Sequence, residues 1–265
     1  DYWRWAAAED VVSDDWYPDL ADPASHVEGA AGADLMRSLG NGRPWLLMEQ
    51  AVSAINWRTV NPPKAGGDYR RWSLQQVAHG ADAVLHFQWR ASAGGAEKWH
   101  SGMLPHAGPR TRTWRTVLAL GSELASLHEL AGARTAADVA IVLDWNSWWA
   151  LELDSRPSTT LSLVAIIKQW YAPLWERGFS IDFVHPEDDL ARYPLVLVPQ
   201  LYLTTDAAGQ SVIDAAHAGS TVVVGFFSGA VDQDDHVRTG GYPAQWQDLL
   251  GLWVEEYRPL LSTAT

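Results

Sequence analysis

The sequence predicts an α/β protein with parallel sheets, built in two parts, and three observations predict it. Strand-like apolar runs alternate with helical segments through the first 130 or so residues, which is how repeated strand-crossover-strand units read. The run Pro44-Trp45-Leu46-Leu47-Met48-Glu49 is apolar without polar alternation and stops on a carboxylate, as a strand buried on both faces does. After the small-residue stretch Ala131-Gly132-Ala133 the alternation begins afresh. The expected domains are therefore residues 1–132 and 133–265.

Each element of the first part has a local reason. A short strand is expected near Glu9 to Ser13, then a loop rich in Asp, Trp and Pro from Asp14 to Pro23. A helix follows from about Ser25 to Leu39, with Val27, Ala31, Leu35 and Leu39 near helical spacing and Gly40 as its stop signal. The strand Trp45 to Met48 leads into a long loop through Asn61-Pro62-Pro63 and Gly66-Gly67. A helix from Tyr69 to His79 stops at Gly80, and the strand Ala83 to Trp89 feeds a loop holding Gly94-Gly95 and Pro105. A helix from about Thr111 to Leu130 closes the region.

The second part reads as a three-layer α/β domain. Its expected strands are Val139 to Leu143, Ser180 to Val184, Leu195 to Pro199 and Thr221 to Phe226, with helices from about Thr159 to Arg177 and Asp206 to Ala218. A further strand or helix begins in Trp246 to Val254. Gly225-Phe226-Phe227-Ser228-Gly229 follows a strand but lacks the glycine spacing and the helix of a dinucleotide turn.

Composition narrows the function. With 32 acidic against 19 basic residues, the formal charge of -13 repels phosphate backbones and anionic lipid surfaces. Neither nucleic acid nor membrane is an expected partner, and no apolar stretch approaches the roughly 20 residues of a membrane span. There is no cysteine, so disulfides, thiolate metal sites and thiol nucleophiles are all excluded. Glutamine amidotransfer, which needs a thiolate, goes with them. Sixteen tryptophans fill interiors well and also suit the apolar faces of pyranose rings.

Long loops that follow the strands match the functional face of a (β/α)8 TIM barrel, where reactive groups stand at the carboxyl ends of strands. Glu49 is the first candidate catalytic residue on that ground. Three strand-helix units do not close a barrel, which needs eight, so five are expected to precede Asp1. The stop at Thr265, soon after a fresh element begins, suggests a cut there as well.

Several motifs in order resemble one family. Asp1-Tyr2-Trp3-Arg4-Trp5, Asp10-Val11-Val12-Ser13, Leu47-Met48-Glu49, Asn56-Trp57, Ala78-His79-Gly80-Ala81-Asp82, Phe87-Gln88-Trp89-Arg90 and Ala96-Glu97-Lys98-Trp99-His100-Ser101 closely resemble the second half of the catalytic barrel of family 42 glycoside hydrolases, the β-galactosidases. Residues beyond about 133 resemble that family's second domain, a flavodoxin-like or glutaminase-like α/β unit implicated in trimer assembly. The resemblance implies a retaining hydrolase of terminal β-linked galactose, with a galactoside as substrate and a cytoplasmic homotrimer as its form; no cofactor or metal is expected. It makes Glu49 the nucleophile and gives Trp57, Glu97 and His100 sugar-binding roles. The family's proton donor is a glutamate that follows an asparagine, and no Asn-Glu pair occurs in this chain. The chain alone is therefore expected to be inactive. The alternative is a non-catalytic sugar-binding or assembly module.

Structural readings stand beside these. Glu49 could be a buried acid paired with Arg90, and Glu97 with Lys98 a solvated charge pair. His79 reads as a cap at a helix end. Asp14 and Asp15 could orient a hydroxyl or cap a turn, and Asp154 and Asp232 to Asp235 read as solvated surface. Glu97, His100 and His106 lack the spacing of a helical zinc motif. Trp145, Trp148 and Trp149 are expected in a loop, as an apolar patch facing the barrel or another subunit.

Overall fold

Two parallel sheets, one of three strands and one of four, carry the fold in the computed structural model, which describes residues 1–261. The chain divides into two units. Ala6–Thr135 holds the first sheet, while residues from Ala136 onward, joined by Asp1–Trp5, hold the second.

In chain order the first unit contains the end of α1 (Tyr2–Ala8), then β1 (Val12–Asp15), α2 (Ser25–Gly40), β2 (Trp45–Glu49), α3 (Asp68–Ala78), β3 (Ala81–Val84) and α4 (Arg112–Ser126). The sheet order is β1-β2-β3. Trp45 and Leu47 are buried while Leu46 and Met48 are partly open, because α2 and α3 pack on one face of the sheet and successive side chains alternate. Leu47 is fully enclosed, so Leu47→Ala carries the ordinary core cost of about 2–5 kcal/mol. Gly29 on α2 is required by close approach. A Cβ there would stand 2.3 Å from the ring of Trp16, which in turn meets Trp72 of α3 edge-on at 5.8 Å.

The third strand is shorter than its apolar run suggests. Leu85 and Phe87 still donate to Leu47 and Gln50, but beyond them the carbonyls of Gln88 and Trp89 accept from Met103 and Leu104. The returning loop has taken over the backbone bonds, and regular pairing with β2 ends. His79 is indeed the residue that ends α3, and its ring bonds the buried Asp34 carboxylate of α2 at 2.7 Å.

The second unit comprises β4 (Val139–Val142), α5 (Trp145–Leu151), α6 (Leu163–Trp175), β5 (Ile181–Val184), β6 (Leu195–Val198), α7 (Asp206–Ala218), β7 (Thr221–Val224) and α8 (Gln247–Leu250). Its order, β5-β4-β6-β7, all parallel, is the flavodoxin-like arrangement. Val142, Val184, Val196 and Val198 pack with Val212, Ala215 and Trp246 on one side. Tyr171 of α6 stacks on Phe183, so the layers are three.

Two helices were not legible. α1 holds the start of the chain to the second unit, where Trp3 Nε1 donates to Leu143 O at 3.0 Å and the Tyr2 ring lies 4.6 Å from Trp145. α5 replaces the expected tryptophan loop, because the Asp144 carboxylate caps the amides of Asn146 and Ser147. Trp145 is buried with Trp148 stacked on it at 5.1 Å, whereas Trp149 stays half exposed. Among the described residues no helix is long and apolar enough to cross a membrane.

Candidate active site

Glu49 ends the central strand of the first sheet, and the parallel register sets Asp15, the last residue of β1, beside it. A register irregularity after Asp14 and the bond from Trp16 N to Glu49 O turn the chain back over the strand end. That turn delivers Tyr17. Its hydroxyl donates to Glu49 Oε2 at 2.6 Å, and Arg58 donates to Tyr17 O while its guanidinium pairs with Asp19 at 2.6 Å. Among the described residues no lysine or arginine is ion-paired with Glu49, so the Arg90 pairing is not formed.

The electrostatics favour a phenol that stays protonated. Burial, the bond to Glu49 and the charges of Glu49, Asp15 and Glu97 all push the Tyr17 pKa upward, beyond any working pH. Asp15 is held above its ordinary range by desolvation and then by Glu49's charge. Asp14 is raised chiefly by burial. Both aspartates are strand residues and not turn caps.

Two loops complete the wall. Ser101 N donates to Ala54 O, Ser53 N to Ser101 Oγ, and Asn56 Nδ2 to Ala96 O, stitching the loop after Glu49 to the glycine-rich loop after β3. The result stacks Trp57 and His100, with their ring planes 24° apart and ring centres 5.4 Å apart. Tyr17 meets the Trp57 ring edge-on at 4.8 Å, and Phe87 meets His100 in the same way at 4.9 Å. His100 is fully buried, and its Nδ1 lies 2.9 Å from Ser101 O. A carbonyl can only accept, so Nδ1 carries a proton. The ring's Nε2 is buried and has no hydrogen-bond partner among the described residues. Glu97 is exposed, three residues before His100, whose amide bonds its carbonyl. Trp57 is 55% exposed. A cleft of ≈ 160 Å³ lies alongside, lined by Lys98, Trp99, His100, Ser101 and His106.

Comparison with known proteins decides the family. Residues 1–127 match a family model described as "Beta-galactosidase", and residues 137–265 one described as "Beta-galactosidase trimerisation domain". The chain belongs to glycoside hydrolase family 42. A β-galactosidase of Arthrobacter is 48% identical over 262 residues, which is 99% of this chain and 38% of that protein. One from Geobacillus is 44% identical over 263 residues, 99% of this chain and 39% of that protein. Among solved structures, the β-galactosidase from Bacillus circulans sp. alkalophilus superposes with a TM-score of 0.94 at 40% identity, over 99% of this chain and 39% of that one. That from Rahnella sp. R3 gives 0.92 at 37%, over 97% and 39%. The chain thus spans about two fifths of the length of the relatives it matches, and its first sheet is part of a TIM barrel.

Within this family 42 chain, sequence reasoning singled out Glu49, Trp57, Glu97 and His100. The fold sets Trp57 against His100 and puts Tyr17, the partner of Glu49, in contact with both rings. Tyr17 itself was missed, since a tyrosine in a proline-rich loop has no signature until the loop folds back. Glu97, His100 and His106 do not converge as a metal set. Among the described residues only Asp232, Asp234 and His236 bring ligand atoms within reach of one another, on an open surface.

Proposed function

We propose that the protein carrying this chain is a retaining glycoside hydrolase that removes terminal non-reducing β-D-galactose from galactosides, with Glu49 as the nucleophile. The observation that carries this reading is the Tyr17 hydroxyl bonded to Glu49 beside the paired rings of Trp57 and His100. A carboxylate attacking an anomeric carbon must be ionised and aimed. One charge-assisted bond from a permanently protonated phenol serves both needs without neutralising it. In the first step Glu49 bonds to the anomeric carbon as the glycosidic oxygen leaves with a proton. Water then displaces Glu49 from the same face that the leaving group vacated.

The proton donor in this reading is a second carboxyl about 5–5.5 Å from Glu49, supplied by residues outside this chain. No Asn-Glu pair occurs within it, so residues 1–265 alone turn over no galactoside. Trp57 walls the sugar, and Glu97 and His100 take its hydroxyls. A site built to bond a hydroxyl disfavours the epimer whose hydroxyl points elsewhere. Residues from Ala136 onward carry assembly into a homotrimer, and neither cofactor nor metal takes part.

The test is made on the full-length product of the reading frame that encodes this chain. Glu49→Ala abolishes hydrolysis of a chromogenic β-galactoside, and azide restores turnover with α-galactosyl azide as the product. Activity retained in Glu49→Ala, or a β-configured azide, rejects the assignment.

A further inference from the structure

A second polar layer lies beneath the site, among groups that the proposed chemistry does not use. Lys64, in the loop before α3, is only 4% exposed, an unusual place for a lysine. Its Nζ donates to Ala51 O and reaches Gln50 Oε1 at 3.5 Å, while the rings of Tyr69 and Trp72 lie 5.8 and 5.2 Å from it. Gln50 is completely buried, and its Nε2 donates to Ser73 Oγ at 2.7 Å, which donates in turn to Tyr69 O. Tyr69 OH meets His86 Nε2 at 2.8 Å. Three of these bonds end on the two residues that follow Glu49, and Gln50 Nε2 also lies 3.4 Å from His86 Nε2, which ties the rest of the layer to them.

We propose that Lys64 is a positioning residue that fixes the Gln50–Ala51 peptide and thereby aims the Glu49 carboxylate. β2 ends at Glu49, so beyond it the ladder no longer restrains the backbone on both sides. Phe87 N still donates to Gln50 O, but the Ala51 carbonyl is held by Lys64 and not by a strand. Arg112 Nη2 donates to Lys64 O, and Lys64 also lies among Val52, Gly66 and Tyr69 around a small cleft. Its ammonium is thus seated by its own backbone as well as by its neighbours. Without the donor, two buried acceptors lose a partner at the point where the nucleophile's strand ends. A shift of about 1 Å in a reacting group can cost on the order of a hundredfold in rate.

This inference rests on the reading of Glu49 as nucleophile, and the test separates the two. In the full-length enzyme Lys64→Met should lower kcat by about ten- to a hundredfold, with KM for a galactoside changed less than about threefold, because Trp57, Glu97 and His100 stay in place. In a Glu49→Ala background rescued by azide there is no carboxylate to aim, so adding Lys64→Met should change the rescued rate less than about twofold. Equal losses in both backgrounds, or an unchanged kcat, overturn the proposal. If Lys64→Met does not accumulate folded, Lys64→Leu, which likewise lacks the donor, is compared in the same two backgrounds under the same criteria. An inactive parent enzyme, or Glu49→Ala without azide rescue, would instead remove the nucleophile assignment itself.

Discussion

At the scale of single residues, the account turns on which groups touch Glu49. Tyr17→Phe removes one charge-assisted hydrogen bond, a class of contact worth about 1.5–3 kcal/mol, so kcat should fall by about ten- to a hundredfold while the fold is unchanged. A steady-state assay at several pH values checks this, and a kcat within twofold of the parent would contradict it. Glu49 was singled out from sequence because an apolar run ending on a carboxylate suits the carboxyl end of a barrel strand, where reactive groups stand. Trp57, Glu97 and His100 came from the family motifs, and the fold gives them a physical setting in which His100 Nε2 has no partner among the described residues. Tyr17 and Lys64 were not legible. Tyr17 lies 32 residues from its partner, and Lys64 follows two prolines in what reads as a solvated turn. Their importance depends on where loops return, which no local pattern encodes.

At the scale of elements, the layer between β2 and α3 should be visible in the pH dependence of stability. Burial pushes the Lys64 pKa down to about 7 from an ordinary value of 10.5, against the opposing charge of Asp68. Burial and then the charge of Lys64 push His86 down to about 4 from 6.5. Tyr69, which also faces this layer, is pushed up by burial and stays protonated. Between about pH 7 and 10.5 the unfolded chain therefore holds a proton at Lys64 that the folded chain has lost, and stability rises with pH through that window. On the acid side the unfolded chain protonates His86 first, so stability falls from about pH 6.5 to 4. In urea unfolding at pH 7, 8, 9 and 10, the parent should gain on Lys64→Met by on the order of 1 kcal/mol per pH unit. A difference that stays flat across that range would contradict the burial argument. Elements themselves were mostly legible: α7 spans Asp206–Ala218 as its pattern foretold, since its Thr205 cap and Gly219 stop are local signals. α5 was passed over because its tryptophans masked the Asp144 cap, and α1 because its docking to the second unit is tertiary.

At the scale of the whole molecule, the alternation of strands and helices announced two parallel sheets, but strand order could not be read from it. The order β5-β4-β6-β7 is set by which crossover packs on which face. The half-exposed Trp149, next to the stacked Trp145 and Trp148, is expected to be covered in the proposed trimer. Sedimentation of the full-length protein should give three protomers, and Trp149→Glu should shift the mass toward the monomer. A monomeric parent, or a trimer indifferent to that charge, would remove the surface from the account. The strongly acidic balance of the chain, -13 in formal charge, also suits a neutral sugar better than a phosphorylated one.

The central claim, that Glu49 forms a covalent bond to the sugar, is tested most directly by trapping the intermediate. The full-length enzyme is treated with a 2-deoxy-2-fluoro-β-galactoside bearing a good leaving group, then digested and mapped by mass spectrometry. The account predicts a single fluorogalactosyl adduct on the Glu49 carboxylate. An adduct on another carboxylate, such as Asp15 or Glu97, or full turnover without any trapped adduct, would contradict it.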